Sequence, residues 1–456
     1  MMFGGVCRKF LNDDHGGGTI MGLLWFMLLV GITGLAVDIT DGLRSQTMLQ
    51  ATADASALAA VIDLPDEAVA VTTAVAYSTT NMATDDYGTV LLNADVDIGS
   101  WDPSTHIFTD GTALPDAVRV RTRRSFENEN AVPVNFLRII GLLNWNVTTY
   151  AIAQRFIPKC LVNDGLVARG MIDISGNNIF QGICLHSQDH VEVQNHNIWD
   201  SGVSISMPDR DDFEVGQVKF NPGAMEALRE DILDPRMVND IPNIIATLQD
   251  PALDAVDPLT DIIPDFVIGT TDIAKTNIIT GNEKFDFTDY AVAAVDDDGP
   301  GMIIDLTCTG DNKTVNIPSG IILTDLVIIS SCNINVGKGA TLSDVTLAAT
   351  GGNGKVSTAN IHFARGVVLG IDDDCAPGGG VQVFTNASVS SAAKLSLNGV
   401  QIVAAGNVQI AAQVDGINGI SVQAGGKIKL TSNGTFSACG AGTPKLFTVN
   451  YYRLVY

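Results

Sequence analysis

The stretch GLAVDITDGLRSQTMLQATADASALAA, residues 34–60, passes from apolar to alanine-rich and polar with no proline or turn signal inside it. An uncharged run of 22 residues, 16–37, overlaps the start of this stretch. As a helix it is long enough to cross roughly 30 Å of hydrocarbon. Together the two segments predict one unbroken helix that leaves a membrane at residue 37 and ends near Pro65. Asp38 and Asp41 are expected at the wet interface. A loose apolar stripe predicts that this helix also covers the first soluble domain; its members are Leu43, Met48, Leu49, Leu58 and Val61.

The charges around residues 16–37 predict the orientation of this span. Arg8 and Lys9 precede it, and the next positive charge lies beyond it, so residues 1–15 are expected in the cytoplasm and the rest outside. A cleaved signal peptide with Gly34 and Ala36 at the cleavage site is the alternative. The apolar core is longer than the usual ~7–15 residues of a signal peptide, which favours a retained anchor.

Composition limits the function classes. The 456 residues favour two or three domains. Asp and Glu total 51 against 26 Lys and Arg, giving a formal net charge of −25, so nucleic acid is not expected as a partner. Charged residues make up only 17% of the chain, and the abundance of small and β-branched residues predicts much β structure.

Residues 38–157 are predicted to form an α/β module on the long helix. NADVDIGSWD, HIFTD and AVRVRTRRS are predicted as strands, VPVNFLRIIGL as a helix, and NVTTYAIAQR as a last strand. In the third segment a basic cluster alternates with valines; it consists of Arg119, Arg121, Arg123 and Arg124. It is either an ordinary exposed strand face or a docking strip for an acidic partner or lipid head groups.

These segments carry a resemblance. A basic N-terminus, the glycines at 16–18, one apolar span, GLAVD and LQATADASALAA, followed by the strand segments above, resemble the TadE/TadG-like proteins of tight-adherence (Tad, or Flp) pilus assembly over residues 8–156, most of all TadG. The resemblance implies an inner-membrane accessory or scaffold protein whose bulk is periplasmic. It also implies pseudopilin-like and other Tad assembly proteins as partners, and a contribution to adherence.

One departure bears on processing. Type IV prepilins carry Glu five residues after the cleaved glycine, whereas here those positions hold Met21, Gly22 or Leu23. The buried carboxylate that would pair with a neighbouring N-terminus is missing, which favours an uncleaved membrane component.

Six of the seven cysteines follow the span, and Cys7 precedes it. An even number in an oxidising compartment indicates disulfides, and two pairs share a separation of 24 residues. Of the connectivities open to six cysteines, we favour Cys160–Cys184, Cys308–Cys332 and Cys375–Cys439. No CxxC is present, so redox catalysis is not expected.

The C-terminal half contains an internal repeat. Aligning residues 379–393, 398–412 and 418–432 superposes Val381, Val400 and Ile420 at offsets of 19 and 20. A second pair, starting at residues 320 and 339, repeats at 19. Short alternating strands at such a period predict a right-handed parallel β-helix or solenoid; a β-sandwich is the alternative. Its inward side chains would include Val400 and Ile402, and its outward ones Gln401 and Ser421.

The whole chain is therefore predicted to be α+β, with a single transmembrane helix, a pilin-like α/β module and a mainly-β C-terminal domain. Between the module and the repeats, residues 158–208 are predicted as a β-rich start and residues 209–270 as a helical insertion or linker over the β structure, interrupted by Pro235, Pro242 and Pro251. Residues 271–456 are assigned to the solenoid-like domain.

Few residues suggest chemistry, and neither an enzyme nor a cofactor is expected. Ordinary surface histidines are favoured over a Zn²⁺ trio of His186, His190 and His196, and solvated loop carboxylates over Ca²⁺ ligands at residues 296–298 and 372–374. Lys427 and Lys429 alone make a weak site for a glycan-active enzyme. A membrane-tethered β-solenoid adhesin or a protein that binds cell-envelope polysaccharide is the second functional hypothesis, and a glycan-active enzyme is the third.

Overall fold

The computed structural model describes residues 17–156, 160, 165–249, 278–294, 301–310, 313–351, 359–374, 376, 378–411, 414–439 and 450–456. The chain forms two compact units. The helix–sheet unit comprises Met1–Phe156 and Asn450–Tyr456, and the parallel unit comprises Ile157–Val449. In sequence, the parallel unit is therefore an insertion between the last two strands of the helix–sheet unit.

The helix–sheet unit begins with one long helix. Its helices are α1 (Gly17–Ala60), α2 (Glu67–Asn81) and α3 (Thr84–Tyr87), with 3₁₀ turns at Val61–Asp63, Asn93–Asp95 and Leu137–Ile140. Its first strands are β1 (Val96–Asp102), β2 (Ile107–Asp110), β3 (Ala117–Arg124), β4 (Val132–Pro133), β5 (Asn144–Trp145) and β6 (Val147–Phe156). The unbroken α1 confirms one continuous helix from the apolar span into the alanine-rich segment, although it ends at Ala60 and a 3₁₀ turn follows before Pro65. By length and composition it could cross a membrane.

The outer half of α1 packs through small side chains. Leu49, Ala53 and Ala57 are fully buried, at helical spacing, and they meet buried alanines of α2 and valines of the sheet. Alanine lets the two helices and the sheet approach closely, as the composition of this segment predicts. Leu43 is 58% exposed and does not belong to the stripe. Asp38, expected in water, is instead 3% exposed, because a later loop covers it.

The antiparallel sheet of this unit has the order β2-β1-β3-β6-β31, where β31 is Tyr451–Leu454. The sequence analysis assigned residues 451–454 to the solenoid-like domain, but β31 pairs with β6, so that boundary is wrong. The helix predicted over VPVNFLRIIGL is also wrong: only the 3₁₀ turn forms there. Pro133 is already in β4, and Gly141 adopts a left-handed conformation with φ of 90°, so an α-helix has no room to extend.

The parallel unit contains many short strands. Its first half has β7 (Gly165–Ala168), β8 (Ile172–Ile174), β9 (Ile179–Gln181), β10 (Cys184–Ser187), β11 (Val191–Val193), β12 (Ile198–Trp199), β13 (Ser204–Met207), β14 (Glu214–Val215), α4 (Ala224–Ala227), β15 (Leu228–Glu230) and α5 (Met237–Gln249), with 3₁₀ turns at Arg210–Asp212 and Val218–Phe220.

The second half of this unit continues the same pattern. It has β16 (Ile278–Gly281), a 3₁₀ turn at Thr288–Tyr290, β17 (Met302–Leu306), β18 (Thr314–Ile317), β19 (Ile322–Ser330), β20 (Asn333–Val336), β21 (Thr341–Ala349), β22 (Ile361–Phe363), β23 (Val368–Leu369), β24 (Val381–Thr385), β25 (Val389–Ser391), β26 (Ser396–Ala404), β27 (Val408–Ile410), β28 (Val414–Ala424), β29 (Ile428–Leu430) and β30 (Gly434–Ser437).

The strands form two parallel sheets. One runs β15-β13-β10-β7-β28-β26-β23-β21-β19-β17-β16, with β24 between β21 and β26, and the other runs β14-β11-β8-β29-β27-β25-β22-β20-β18. Register follows the sequence repeat, since Val381 lies opposite Val400 and Val400 opposite Ile420. A large apolar core unites residues of both sheets. Each fully buried Val or Ile contributes about 1.5–3 kcal/mol to folding, so this stacking dominates the stability of the unit.

The start of the parallel unit stacks on its end. β7 pairs with β28 and β8 pairs with β29, although more than 250 residues separate the partners. Phe180 of β9 is fully buried and stacks between Trp199 and Phe436, with ring centroids 4.3 Å and 5.1 Å away. The chain therefore enters and leaves this unit at adjoining strands.

Helix α5 covers one parallel sheet from outside. Its apolar face packs on buried residues such as Val327, Phe384 and Val403, as the predicted helical cover requires. Gln401 and Ser421, predicted to face water, are 1% exposed beneath this cover, so that prediction is wrong. Pro242 lies inside α5 rather than between two helices, because the packing of its apolar face outweighs the lost backbone hydrogen bond.

Two of the predicted disulfides are present. Cys160–Cys184 joins the first residues of the unit to β10, and Cys308–Cys332 joins the loop after β17 to the segment before β20; the Cα atoms are 5.2 Å and 6.0 Å apart. Cys439 is also disulfide-bonded. Its predicted partner Cys375 lies outside the described residues, as do residues 1–16 and 250–277.

Candidate functional site

The predicted docking arginines lie on or at the end of strand β3. Val118, Val120 and Thr122 face the helices and are fully buried, which turns the odd-numbered side chains of β3 to the opposite face of the sheet. Because side chains alternate along a strand, Arg119, Arg121 and Arg123 emerge together from this face. We call this surface the outer sheet face.

Two of these arginines are held by acidic neighbours, one on β1 and one in the 3₁₀ turn before it. Arg119 bonds Asp97 of β1, with an Nη2–Oδ2 distance of 2.8 Å, and its guanidinium lies 4.6 Å from the ring centroid of Phe108. Arg123 pairs with Asp95, whose side chain is 1% exposed. These ion pairs connect β3 to neighbouring segments of the same unit. Their charges are therefore already paired within the fold.

Arg124 is also committed within the unit. Its Nε donates to the carbonyl oxygen of Asn130 at 3.0 Å, and its guanidinium lies 5.7 Å from the Tyr87 ring centroid. Burial lowers the pKa of Arg124, an effect that the Tyr87 side chain opposes.

Arg121 differs from the other three. It is exposed and forms no ion pair within the described residues. Across the ladder it lies opposite Tyr150 of β6, whose ring stacks on Tyr456 with centroids 4.5 Å apart and planes inclined by 4°. The hydrogen bond that the Tyr150 hydroxyl donates to Tyr456, followed by burial, raises the pKa of Tyr150. A free guanidinium beside two stacked phenols can bind a carboxylate and contact an apolar neighbour.

Sequence reasoning found the arginines but missed the tyrosines. Tyr150 is signalled by the alternation within β6. Tyr456 has no sequence signal that links it to β3. The prediction therefore placed it in the solenoid-like domain with the rest of residues 271–456.

The histidines do not form a shared site. His186 is fully buried: its Nδ1 lies 2.8 Å from the Ser206 hydroxyl, and its Nε2 accepts the Leu233 N–H at 3.1 Å. Burial lowers the pKa of His186 to about 4, although Asp231 opposes this. His190 lies beside Asp189, and His196 stacks on Phe220. Among the residues that the structure describes, no three His, Cys, Asp or Glu side chains are grouped to hold a metal.

The acidic loops and the two lysines are equally dispersed. Asp373 accepts the Ala376 N–H at 3.0 Å, while residues 296–298 lie outside the described residues. Lys429 pairs with Asp173 at 2.6 Å and thereby links β29 to β8. The outer sheet face is therefore the candidate site that the described geometry supports best.

Known families match both units of the chain. A family model described as a domain of unknown function, DUF7867, matches residues 165–440, and one described as "Putative Tad-like Flp pilus-assembly" matches residues 45–153. The crystal structure of the competence-associated pilin ComZ from Thermus thermophilus covers 80% of this chain and 88% of its own, at 9% identity and a TM-score of 0.22. No curated protein matches. The resemblance to Tad pilus-assembly proteins is confirmed at the level of a Tad-like region.

Proposed function

We propose a function in Tad pilus assembly for this chain, which belongs to the DUF7867 family of domains of unknown function. One observation carries the proposal: the Tad-like pilus-assembly model matches residues 45–153, which include the outer half of α1, α2 and most of the antiparallel sheet. The function is that of a non-catalytic scaffold, most like TadG.

The proposed scaffold is anchored by α1 in the bacterial inner membrane. Residues 1–15 lie in the cytoplasm and the chain beyond Val37 lies in the periplasm, an orientation that the basic residues before the span support. Because α1 continues from Gly17 to Ala60 without a break, it carries no hinge between the bilayer and the sheet that packs on it. The scaffold thereby presents the outer sheet face in a fixed orientation.

A pseudopilin-like partner is proposed to dock on the outer sheet face. Arg121 supplies the uncommitted positive charge there, and the Tyr150–Tyr456 pair supplies rigid apolar area beside it. The net charge of −25 makes copies of the chain repel one another, while the local positive charge of Arg121 can pair with a carboxylate that a partner presents.

The parallel unit is proposed to be a right-handed solenoid whose coils alternate between the two parallel sheets. The repeat of 19 residues and the in-register pairing from β19 to β29 support this reading. Disulfides at Cys160–Cys184 and Cys308–Cys332 stiffen the stack. Its role is to extend the scaffold into the periplasm.

Complementation in the native host tests the proposal. Deletion of the gene should abolish pili, the full chain should restore them, and Arg121→Glu should restore them poorly while Arg121→Lys restores them well. Leu114→Glu, at an 87% exposed position of the same unit, is the matched control and should complement fully. Intact pili with lost adherence after deletion would contradict the scaffold and favour the adhesin.

A further inference from the structure

The loop between β4 and β5 exposes a cluster of apolar side chains. Phe136 is 43% exposed, Ile139 88%, Leu142 41% and Leu143 57%. The helix predicted over VPVNFLRIIGL rests on the spacing of other residues of this segment, and the structure has a 3₁₀ turn there instead. Exposed apolar clusters of this kind mark surfaces that contact another molecule or a membrane. We call residues 134–143 the apolar loop.

The apolar loop lies beside the predicted span. A Cβ built on Gly34 would lie 2.6 Å from the Cβ of Phe136, so this ring packs directly on the backbone of α1. Gly34 precedes the end of the predicted span at Val37 by three residues, or about 4.5 Å along the helix axis. Loop and helix together enclose an apolar groove of about 500 Å³, lined by Phe26, Met27, Val30, Gly31, Leu35, Phe136, Leu137 and Ile139.

Most N–H groups of the apolar loop have hydrogen-bond partners, which a segment in hydrocarbon needs. The buried carboxylate of Asp38 accepts the N–H groups of Asn135, Phe136 and Leu137 at 2.9, 2.9 and 2.7 Å. Further backbone bonds lie within the loop: Val134 N–H to Leu143 O, Ile139 N–H to Phe136 O, Gly141 N–H to Arg138 O and Leu142 N–H to Leu137 O. An unpaired backbone group in a bilayer would cost several kcal/mol, so this pairing lowers the cost of insertion.

From this geometry we infer that the apolar loop is a second membrane contact. It inserts beside α1 into the leaflet at the C-terminal end of the span, and lipid acyl chains fill the groove. The inference rests on the proposed anchoring of α1 in the membrane. Arg138 is exposed and can extend to lipid phosphates, while Trp145, packed on Gly42, lies nearer the interface. Two contacts would fix the tilt and rotation of α1.

Lipid is the occupant that the surroundings favour. The side chains of α1 from Ile20 to Val30 are 45–66% exposed at the large apolar positions and present an apolar surface around the helix. Phe26, Met27 and Val30 of this segment also line the groove. If a bilayer surrounds the segment, the groove therefore opens into the same hydrocarbon. An apolar partner helix is the other possible occupant.

Fluorescence in vesicles tests the inference. An environment-sensitive fluorescent amino acid replaces Ile139 or, as the matched control, Leu114, which is 87% exposed in the same unit. The full chain is reconstituted into vesicles of phosphatidylethanolamine and phosphatidylglycerol. At position 139 we expect blue-shifted emission, loss of fluorescence with lipids that carry an acyl-chain nitroxide, and protection from aqueous iodide. At position 114 we expect the reverse.

The outcomes separate this inference from the proposed function. If the chain floats with the vesicles and resists alkaline extraction, but position 139 is as open to iodide as position 114, the apolar loop does not insert while the anchor stands. Blue-shifted emission at 139 without quenching by the nitroxide lipids would also overturn the inference, because protein then covers the loop. Failure to float would refute the anchor itself.

Discussion

The two units bury their strands differently. In β3 of the helix–sheet unit, burial alternates, so Val118 and Val120 are covered while Arg121 is exposed. In β26 of the parallel unit, every residue from Val400 to Ala404 is buried, because core residues cover one face and α5 covers the other. Alternation in a sequence therefore predicts which residues share a face, but not whether that face is free.

The difference has a functional meaning. The helix–sheet unit leaves charge and aromatic surface on a rigid sheet, where a partner can dock. In the sheet under α5, even the polar residues that point away from the core contact other parts of the unit. The side-chain nitrogens of Gln401 and Gln423 both lie 3.9 Å from the sulfur of Met237. The two units thus differ in how much of their sheet surface is free, and substitutions should reveal that difference.

The largest expected effect follows from removing Phe180. Phe180→Ala should lower the free energy of unfolding of the parallel unit by about 3–5 kcal/mol, because a fully buried ring is lost where the first strands of the unit meet the last. Hydrogen exchange by mass spectrometry on the oxidised protein in detergent can follow both units. The helix–sheet unit should keep its protection.

Phe220→Ala is the matched control for this substitution. Phe220 is 36% exposed and stacks on His196, so its loss should cost less than about 1 kcal/mol. Equal destabilisation by both substitutions would show that burial of Phe180 is not what stabilises the parallel unit. Loss of protection in both units after Phe180→Ala would show that the two units do not differ in what stabilises them.

A smaller effect is expected from acid. His186 is neutral in the folded state, with a pKa of about 4 against the ordinary value of 6.5, so the unfolded chain binds the proton more readily. Its contribution is fully present above pH 6.5 and is lost as the pH falls toward 4, by up to about 3 kcal/mol. Urea unfolding of the wild type and of His186→Asn between pH 7 and 4 measures this contribution. It is the difference between the two proteins in how the free energy of unfolding changes with pH.

The control for acid is His362→Asn. His362 is exposed, with Nδ1 3.0 Å from the Ser390 hydroxyl, so its substitution should leave the pH dependence of the parallel unit as in the wild type. If His186→Asn unfolds with the same pH dependence as the wild type, the buried histidine is not the group that responds.

Local and repeated features of the fold could be predicted from the sequence. The unbroken α1 follows from an uncharged run that continues into alanines, and the register of β24, β26 and β28 follows from superposed valines and isoleucines. Two disulfides follow from an equal spacing of 24 residues. In each case the signal lies in residues that are close in sequence or repeat at a fixed period.

Contacts between distant segments could not be predicted in this way. Nothing near Tyr451 indicates that its strand pairs with β6, and nothing near Gln401 indicates that α5 covers it. Leu137 and Ile140 have helical spacing, but no helix forms in the apolar loop because Asp38, almost one hundred residues earlier, holds the backbone in a turn. The contact of Tyr456 with Tyr150 was missed for the same reason.

The smallest expected effect is the difference in stability between Arg119→Ala and Arg121→Ala. Arg119 is paired within the sheet, whereas Arg121 forms no ion pair among the described residues. Arg119→Ala should cost the helix–sheet unit up to about 1 kcal/mol, since it removes the bond to Asp97 and the contact with Phe108. Arg121→Ala should change stability by less than about 0.5 kcal/mol, because its side chain has no ion pair to lose among the described residues. Thermal unfolding of the purified variants measures both. If Arg121→Ala destabilises as much as Arg119→Ala, Arg121 belongs to the internal network of the sheet, and the outer sheet face has lost the charge on which docking depends.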